Sequence, residues 1–491
     1  MKCFSTRGGQ ETDGAASAII QGIADDKGLF VPAEIPTLDI SFRELSEMRY
    51  QNVAKLIIGK FFDDFTYEEI VGCVESAYDD KFETEDIVPI VSVGDAFFME
   101  LYHGRTSAFK DMALSILPHF LTTAVKKKKE DKKICILTAT SGDTGKAALE
   151  GFADVPGIEI IVFFPKDGVS AVQKAQMITQ TGENTHVFSI KGNFDDAQTG
   201  VKSIFNNDQL VKRLIARGYR LSSANSINIG RLIPQIAYYV YGYGKLVANG
   251  EIEAGESINI AVPTGNFGNI LAAFYASLMG IPVNRFICAS NENKVLTDFI
   301  NAGVYDTRRE FHITTSPSMD ILISSNLERL IYHLSGGDSE EVLRIMADLE
   351  TNKYYEVSGR IKSGLERFYG GFANMEETDA TIGRVYNESG YLMDPHTAVA
   401  YKVYEDYRRE TGDRRPTLIS ATASPFKFSG TVSGAIGLGG CEDEFERLYA
   451  LSQATGLGVP KGLMNLDKKE VRHKDVIEVS EMSAVVESVL K

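Results

Sequence analysis

Two stretches of this chain share one grammar, and that grammar constrains the fold more than any other feature. In KKICILTATSGDTGKAALEGF (132–152) and SINIAVPTGNFGNILAAFYASL (257–278), an apolar run enters a turn of glycine and small polar residues. It then continues as a helical pattern. Comparable runs at IEIIVFFP (158–165), THVFSIKG (185–192) and VNRFICASNEN (283–293) alternate with helical segments at SAVQKAQMITQTG (170–182) and NFDDAQTGVKSIFNN (193–207). Alternation at this spacing predicts parallel βαβ units, and so an α/β fold of open, mostly parallel sheets with helices on both faces.

At 491 residues the chain has room for about two to four domains or subdomains. The net charge of −16, from 51 Lys+Arg against 67 Asp+Glu, argues against nucleic acid or an anionic membrane as the main partner. It leaves room for a small anionic substrate held by local donors. The five cysteines are scattered and odd in number, which speaks against a disulfide scaffold or a zinc knuckle. The histidines lack metal-ligand spacing, so no metal is expected. No opening apolar segment and no apolar run of about 20 residues is present, and the expectation is a cytoplasmic protein. Residues 1–95 read as mixed and mainly helical. Within them Thr66 is placed to cap a helix whose apolar face is Tyr67, Ile70, Val74 and Ala77. KKKKEDKK (126–133) reads as a solvated helix end before a strand.

Five places can carry chemistry. Lys110, in HGRTSAFKDMALSIL (103–117), stands at the start of a helical pattern beside Phe109. A cation there opposes the helix dipole, and a lysine with a lowered pKa suits Schiff-base chemistry; the alternative is a surface pair with Asp111. Thr140, Ser141, Gly142, Asp143 and Thr144 form a strand-to-helix turn whose N–H groups and hydroxyls suit a carboxylate or phosphate, or simply cap the helix. Gly265, Asn266, Phe267, Gly268 and Asn269 form a second such turn, where glycine allows close approach of a phosphate; it is neither G-x-G-x-x-G nor a P-loop. Ser226, Asn228 and Arg231 precede an apolar helix, and Arg231 can grip an anionic oxygen with a forked pair of bonds. LISATASPFKF (418–428) reads as a strand end with hydroxyls and Pro425. An activated lysine with two helix N-terminal anion sites on an open sheet fits a ligand bearing an aldehyde and a phosphate, and a substrate bearing an amine and a carboxylate. That is pyridoxal phosphate chemistry.

The motifs resemble a known family. STRGG with GIADDKGLFVPAEIP (5–36), AFKD (108–111), TSGDTG (140–145), NSIN..R (225–231), GNFG (265–268), DPHTAVAY (394–401) and the TA.P.KF frame (422–428) occur in the order seen in threonine synthases of the long-chain subgroup, within fold type II pyridoxal-phosphate enzymes. The resemblance implies conversion of O-phospho-L-homoserine and water to L-threonine and phosphate. It implies that Lys110 holds pyridoxal 5'-phosphate and moves protons at Cα and Cβ. The 265–269 loop would cradle the cofactor phosphate and Thr422 would face the ring nitrogen. The 140–144 loop would meet the substrate carboxylate and the ring hydroxyl, and Ser226, Asn228 and Arg231 would take the substrate phosphate. The chain departs from the family pattern at Arg105 (usually Pro), Asn269 (usually Asp), Ser424 (usually His) and Phe426 (usually Ala). Two alternatives stay open: a phospho-lyase giving 2-oxobutanoate from the same substrate, and a non-catalytic binding protein of this fold. The implied architecture is a family-specific segment over 1–95, a smaller α/β domain over 96–235 and a larger one over 236–491, with the cofactor between them, in a monomer or homodimer.

Overall fold

The computed structural model describes residues 1–491 apart from Ser141, Gly168 and the side chain of Asp195. The predicted strands form where the apolar runs fall. Lys133–Ala139, Ile158–Pro165, Thr185–Lys191 and Tyr219–Ser222 build a parallel sheet, joined at its far edge by Val476–Glu478. A six-stranded sheet has the order Phe368–Phe372, Val283–Ser290, Ile258–Pro263, Thr417–Ala421, Ala96–Glu100, Ile90–Val93; only the last pair is antiparallel. The central strands are buried along nearly their whole length, with Glu159 half-buried, as expected of parallel strands covered on both faces.

Each sheet has one point where the strand order reverses. In the five-stranded sheet the chain runs outward from Lys133–Ala139 and returns to its other side as Tyr219–Ser222. In the six-stranded sheet it runs outward from Ile258–Pro263 and returns as Thr417–Ala421. Loops diverge at such points and leave a crevice beyond the strand ends. The four segments that follow these strands are 140–145, 223–228, 264–268 and 422–428, which are the four turns singled out from the sequence.

The sheets do not divide at residues 95 and 235. Ala96–Glu100 pairs with Thr417–Ala421 in the larger sheet, and Val476–Glu478 completes the smaller one. Strand pairing joins segments hundreds of residues apart, and no local signal marks which sheet a strand enters. The helix Ile229–Ala248 is buried over nearly its full length and packs on Gly268–Leu278. The amino-terminal helix Tyr50–Phe61 packs on it. Thr66 caps Tyr67–Ala77 in a reciprocal box with Glu69. Ile70, Val74 and Ala77 of that helix are buried, but Tyr67 is 70% exposed and Cys73 takes its place on the inner face. A side chain at the first helical position has no preceding turn to lie against and is free to point outward. The lysine run ends the helix Leu117–Lys128, with Lys129 in the left-handed region. Among the described residues, no helix is long and apolar enough to cross a membrane.

Candidate active site

A cavity of about 1380 Å³ lies across the carboxyl ends of both sheets. Lys110, Thr140, Asp143, Thr144, Ser226 and Arg231 line it, as do Thr422 and the whole 265–269 loop. Ser141 lies outside the described residues. Gly142 and Asn228 are not in the wall. Gly142 is at φ +150°, packed so that a Cβ would meet Gln173 at 2.7 Å. Asn228 caps the long helix by accepting from Gly230 N (2.9 Å), and its amide donates to the Ile19 and Ser223 carbonyls. Its polar atoms are occupied by the fold.

Lys110 is buried and immediately precedes the four-residue helix Asp111–Leu114. Its Nζ is 3.5 Å from Asp143 Oδ2 and 3.3 Å from Ser318 Oγ. Asp111 faces away: it accepts from the Thr106 hydroxyl (2.6 Å) and N–H (2.8 Å), and burial raises its carboxyl to about 6. The surface pair Lys110–Asp111 therefore does not form. Burial lowers the Lys110 pKa, helped by Lys427 and Arg231 and opposed by Asp143. So short a helix contributes little dipole, and desolvation replaces the dipole as the main cause.

The 140–145 turn is held by Thr140, whose Oγ1 accepts from Gly142 N and Gly145 N, both at 2.9 Å. The turn thereby presents Asp143 to the cavity. Burial alone would raise the Asp143 carboxyl, but Lys427 and then Lys110 outweigh it and hold it far below the usual carboxylate range.

At the other switch point, Gly268–Leu278 begins just after Phe267, a non-glycine residue at φ +60°. Asn326 fixes this turn: its N–H and amide both donate to the Asn266 carbonyl, while Ser324 Oγ donates to Gly265 O. A Cβ on Gly265 would lie 2.7 Å from the Ser318 carbonyl. Asn269 Oδ1 accepts from Tyr238 (2.7 Å) and Tyr239 (2.5 Å), and its buried Nδ2 has no partner among the described residues. Arg231 donates through Nη1 to Ala224 O, and among the described residues its buried Nε also has no partner. Burial pushes its guanidinium down to about 10. Thr422 is tied to the lysine segment, its carbonyl accepting from Phe109 N at 2.8 Å.

Residues 2–78 match the family model "Threonine synthase N terminus", 90–359 match "Pyridoxal-phosphate dependent enzyme" and 397–487 match "Threonine synthase, C-terminal". The threonine synthase of Saccharomyces cerevisiae is 34% identical over 449 residues, covering 85% of this chain and 86% of that protein. This chain belongs to the threonine synthase family. The crystal structure of the pyridoxal-phosphate-bound threonine synthase from Brucella melitensis is similar at 34% identity and a TM-score of 0.86, covering 100% of this chain and 99% of that one. "Threonine synthase-like 1" of Homo sapiens is 40% identical over 434 residues, or 86% of this chain and 58% of the human protein. The chain thus matches little more than half the length of that relative.

The family is one of fold type II pyridoxal-phosphate enzymes, and this cavity suits that cofactor. A buried lysine of lowered pKa stands in its wall. A helix N-terminus, a glycine without room for a Cβ and an unpaired Asn269 donor make a cradle for a phosphate. Asparagine where the family usually has aspartate turns the side chain toward donation, because both tyrosine hydroxyls already occupy its oxygen. Gly265→Ala is expected to weaken pyridoxal phosphate binding roughly tenfold or more by forcing the Ser318 backbone outward. A titration following the visible absorbance of bound cofactor measures it.

Several residues that build the site were missed from the sequence. Ser318 N donates to His396 Nε2 (3.2 Å), so the ring proton sits on Nδ1 and goes to Asp394 Oδ1 (2.7 Å). Arg329 is fully buried and ties Phe30, Asn326, Ser226 and Ile227 together. Lys427 carries the strongest signal that could have been read: a cation between two phenylalanines in an apolar run. Arg105 turns to Glu150 (3.1 Å) at the surface and adds no contact to the cavity. Ser424 caps the turn that follows it, accepting from Phe426 N, and Phe426 is buried.

Proposed function

We propose that this chain converts O-phospho-L-homoserine and water to L-threonine and phosphate. The observation that carries the reading is one cavity holding a buried lysine of lowered pKa and two unpaired buried donors, Asn269 Nδ2 and Arg231 Nε. The reaction brings two phosphates to one site, that of the cofactor and that of the substrate. Family membership supports the same reading.

Pyridoxal phosphate supplies an aldehyde that takes up an amine and a ring that draws electrons from Cα. Asn266, Phe267, Gly268 and Asn269 would hold its phosphate, and Gly265 would leave room for it. Thr422 offers a hydroxyl to the ring nitrogen, a weaker partner than a carboxylate, which keeps the ring a mild electron sink. Lys110 would bond the aldehyde at rest; displaced by substrate, its amine would carry one proton at a time, giving up the Cα proton before taking one from Cβ, and the two would return to Cα and Cγ. Its lowered pKa leaves the nitrogen free to accept them. Phosphate leaves Cγ toward Arg231 and Ser226, and water adds at Cβ. Thr140 and Thr144, in the cavity wall, face the substrate carboxylate.

A second reading is a phospho-lyase that stops after elimination and releases 2-oxobutanoate. The same cavity residues serve elimination in both readings, and identity to proteins named threonine synthase-like 1 reaches 40%, against 34% for the yeast threonine synthase. A third is a non-catalytic binding protein. One assay separates them. Purified protein loaded with cofactor and given O-phospho-L-homoserine is expected to release threonine and phosphate in equal amounts. Phosphate matched by 2-oxobutanoate establishes the lyase. No phosphate release from a cofactor-loaded protein defeats both enzyme readings.

A further inference from the structure

Lys427 sits in the helical turn Pro425–Phe428 and has no solvent exposure. Its ammonium lies 2.6 Å from Asp143 Oδ1 and donates to the Thr106 carbonyl at 2.9 Å. These acceptors belong to two separate segments. Asp143 opens the helix behind the smaller sheet, and Thr106 shapes the turn that leads to Lys110 through its bonds to Asp111. One ammonium thus fixes the lysine segment and its facing carboxylate to each other. Packing alone would be served by an apolar side chain, since a buried ammonium is costly to desolvate.

We propose that Lys427 is a positioning residue for Lys110: it clamps the Asp143 carboxylate in register with the lysine and, as a second buried cation, disfavours a proton on the Lys110 nitrogen. Alone, a carboxylate 3.5 Å from Nζ would stabilise the ammonium and keep the lysine from acting as a base. Lys427 holds the other oxygen of that carboxylate at shorter range and repels a charge on Lys110. The charged groups acting on Lys110 are Asp143, Lys427 and Arg231, and together with burial they lower its pKa. Those on Asp143 are Lys427 and Lys110, with Gln173 and Ser318 as neutral donors.

The inference rests on Lys110 being the lysine bonded to the cofactor. Borohydride reduction of the loaded wild type, followed by peptide mapping, tests that separately; label on another lysine removes the premise. The proposal itself is tested by the pH titration of visible absorbance in the full-chain holoenzyme. In Lys427→Met the transition that reports protonation of the lysine-bound nitrogen moves up by about one pH unit, a tenfold change in the protonation ratio. Lys427→Arg keeps the charge and leaves the transition near the wild-type position. A purely structural loosening lowers cofactor occupancy without moving the transition, so an unmoved transition in folded Lys427→Met overturns the proposal. If that variant does not fold, Lys427→Met/Asp143→Asn strands no charge and carries the test. Its transition lies above that of Asp143→Asn alone, which keeps the Lys427 charge; equal transitions in these two variants overturn the proposal.

Discussion

Lys110→Ala is expected to abolish borohydride-stable attachment of the cofactor and to lower turnover by at least about 10²–10⁴-fold, the range for a positioned acid–base group. On the proposed roles of Lys110, the covalent anchor and the proton carrier are lost together. Asp143, Ser318 and Arg231 stay in place around the gap, and none can replace both roles. The protein should still fold, because alanine removes a buried ammonium rather than a packing element. Phosphate release from O-phospho-L-homoserine, measured beside absorbance at saturating cofactor, checks it. A variant that keeps wild-type turnover would move the site elsewhere in the cavity.

Asp143→Ala is expected to have the largest effect on stability, about 3–5 kcal/mol, as for a buried ion pair deprived of one partner. It takes from Lys427 the one carboxylate it pairs with among the described residues and removes the anion facing Lys110. The sign with pH follows from the direction of the shift. The Asp143 carboxyl is held far below its unfolded value of about 3.9. Its contribution is therefore fully present above that value and is lost as pH falls toward the folded one. The difference in urea midpoint between wild type and Asp143→Ala should stay level from pH 7 to about pH 5 and narrow below it. A difference that grows on acidification would contradict the charge assignment. Asp143→Asn, which can still accept from Lys427, should lose less.

Much of the site was legible before the fold. Each strand-to-helix turn announces itself locally, because glycine, hydroxyl residues and a following apolar helix are what a strand end at a ligand crevice requires. The 140–145 turn and the 265–269 loop were read that way and Lys110 from its place at a helix start, and the structure brings all three to one cavity. Asn228 looked like a ligand for the same reason: an asparagine before a helix reads alike whether its amide faces a cavity or caps the helix and bonds Ile19. Tyr67 shows the same ambiguity, with the right period but a position one turn too early to be covered.

The sequence by itself determined the strands, the turns that end them, the lysine and the family, because each is carried by short-range pattern or by motifs in order. Only the tertiary structure decided which strands share a sheet, since pairing energy lies between segments that local pattern does not connect. It alone brought Ala96–Glu100 into the larger sheet and Val476–Glu478 into the smaller. It alone decided the electrostatics as well. Coulomb interactions depend on distance and on burial, and residues 110, 143 and 427 are far apart along the chain. The charge that surrounds Lys110 exists only once two switch points have been folded face to face.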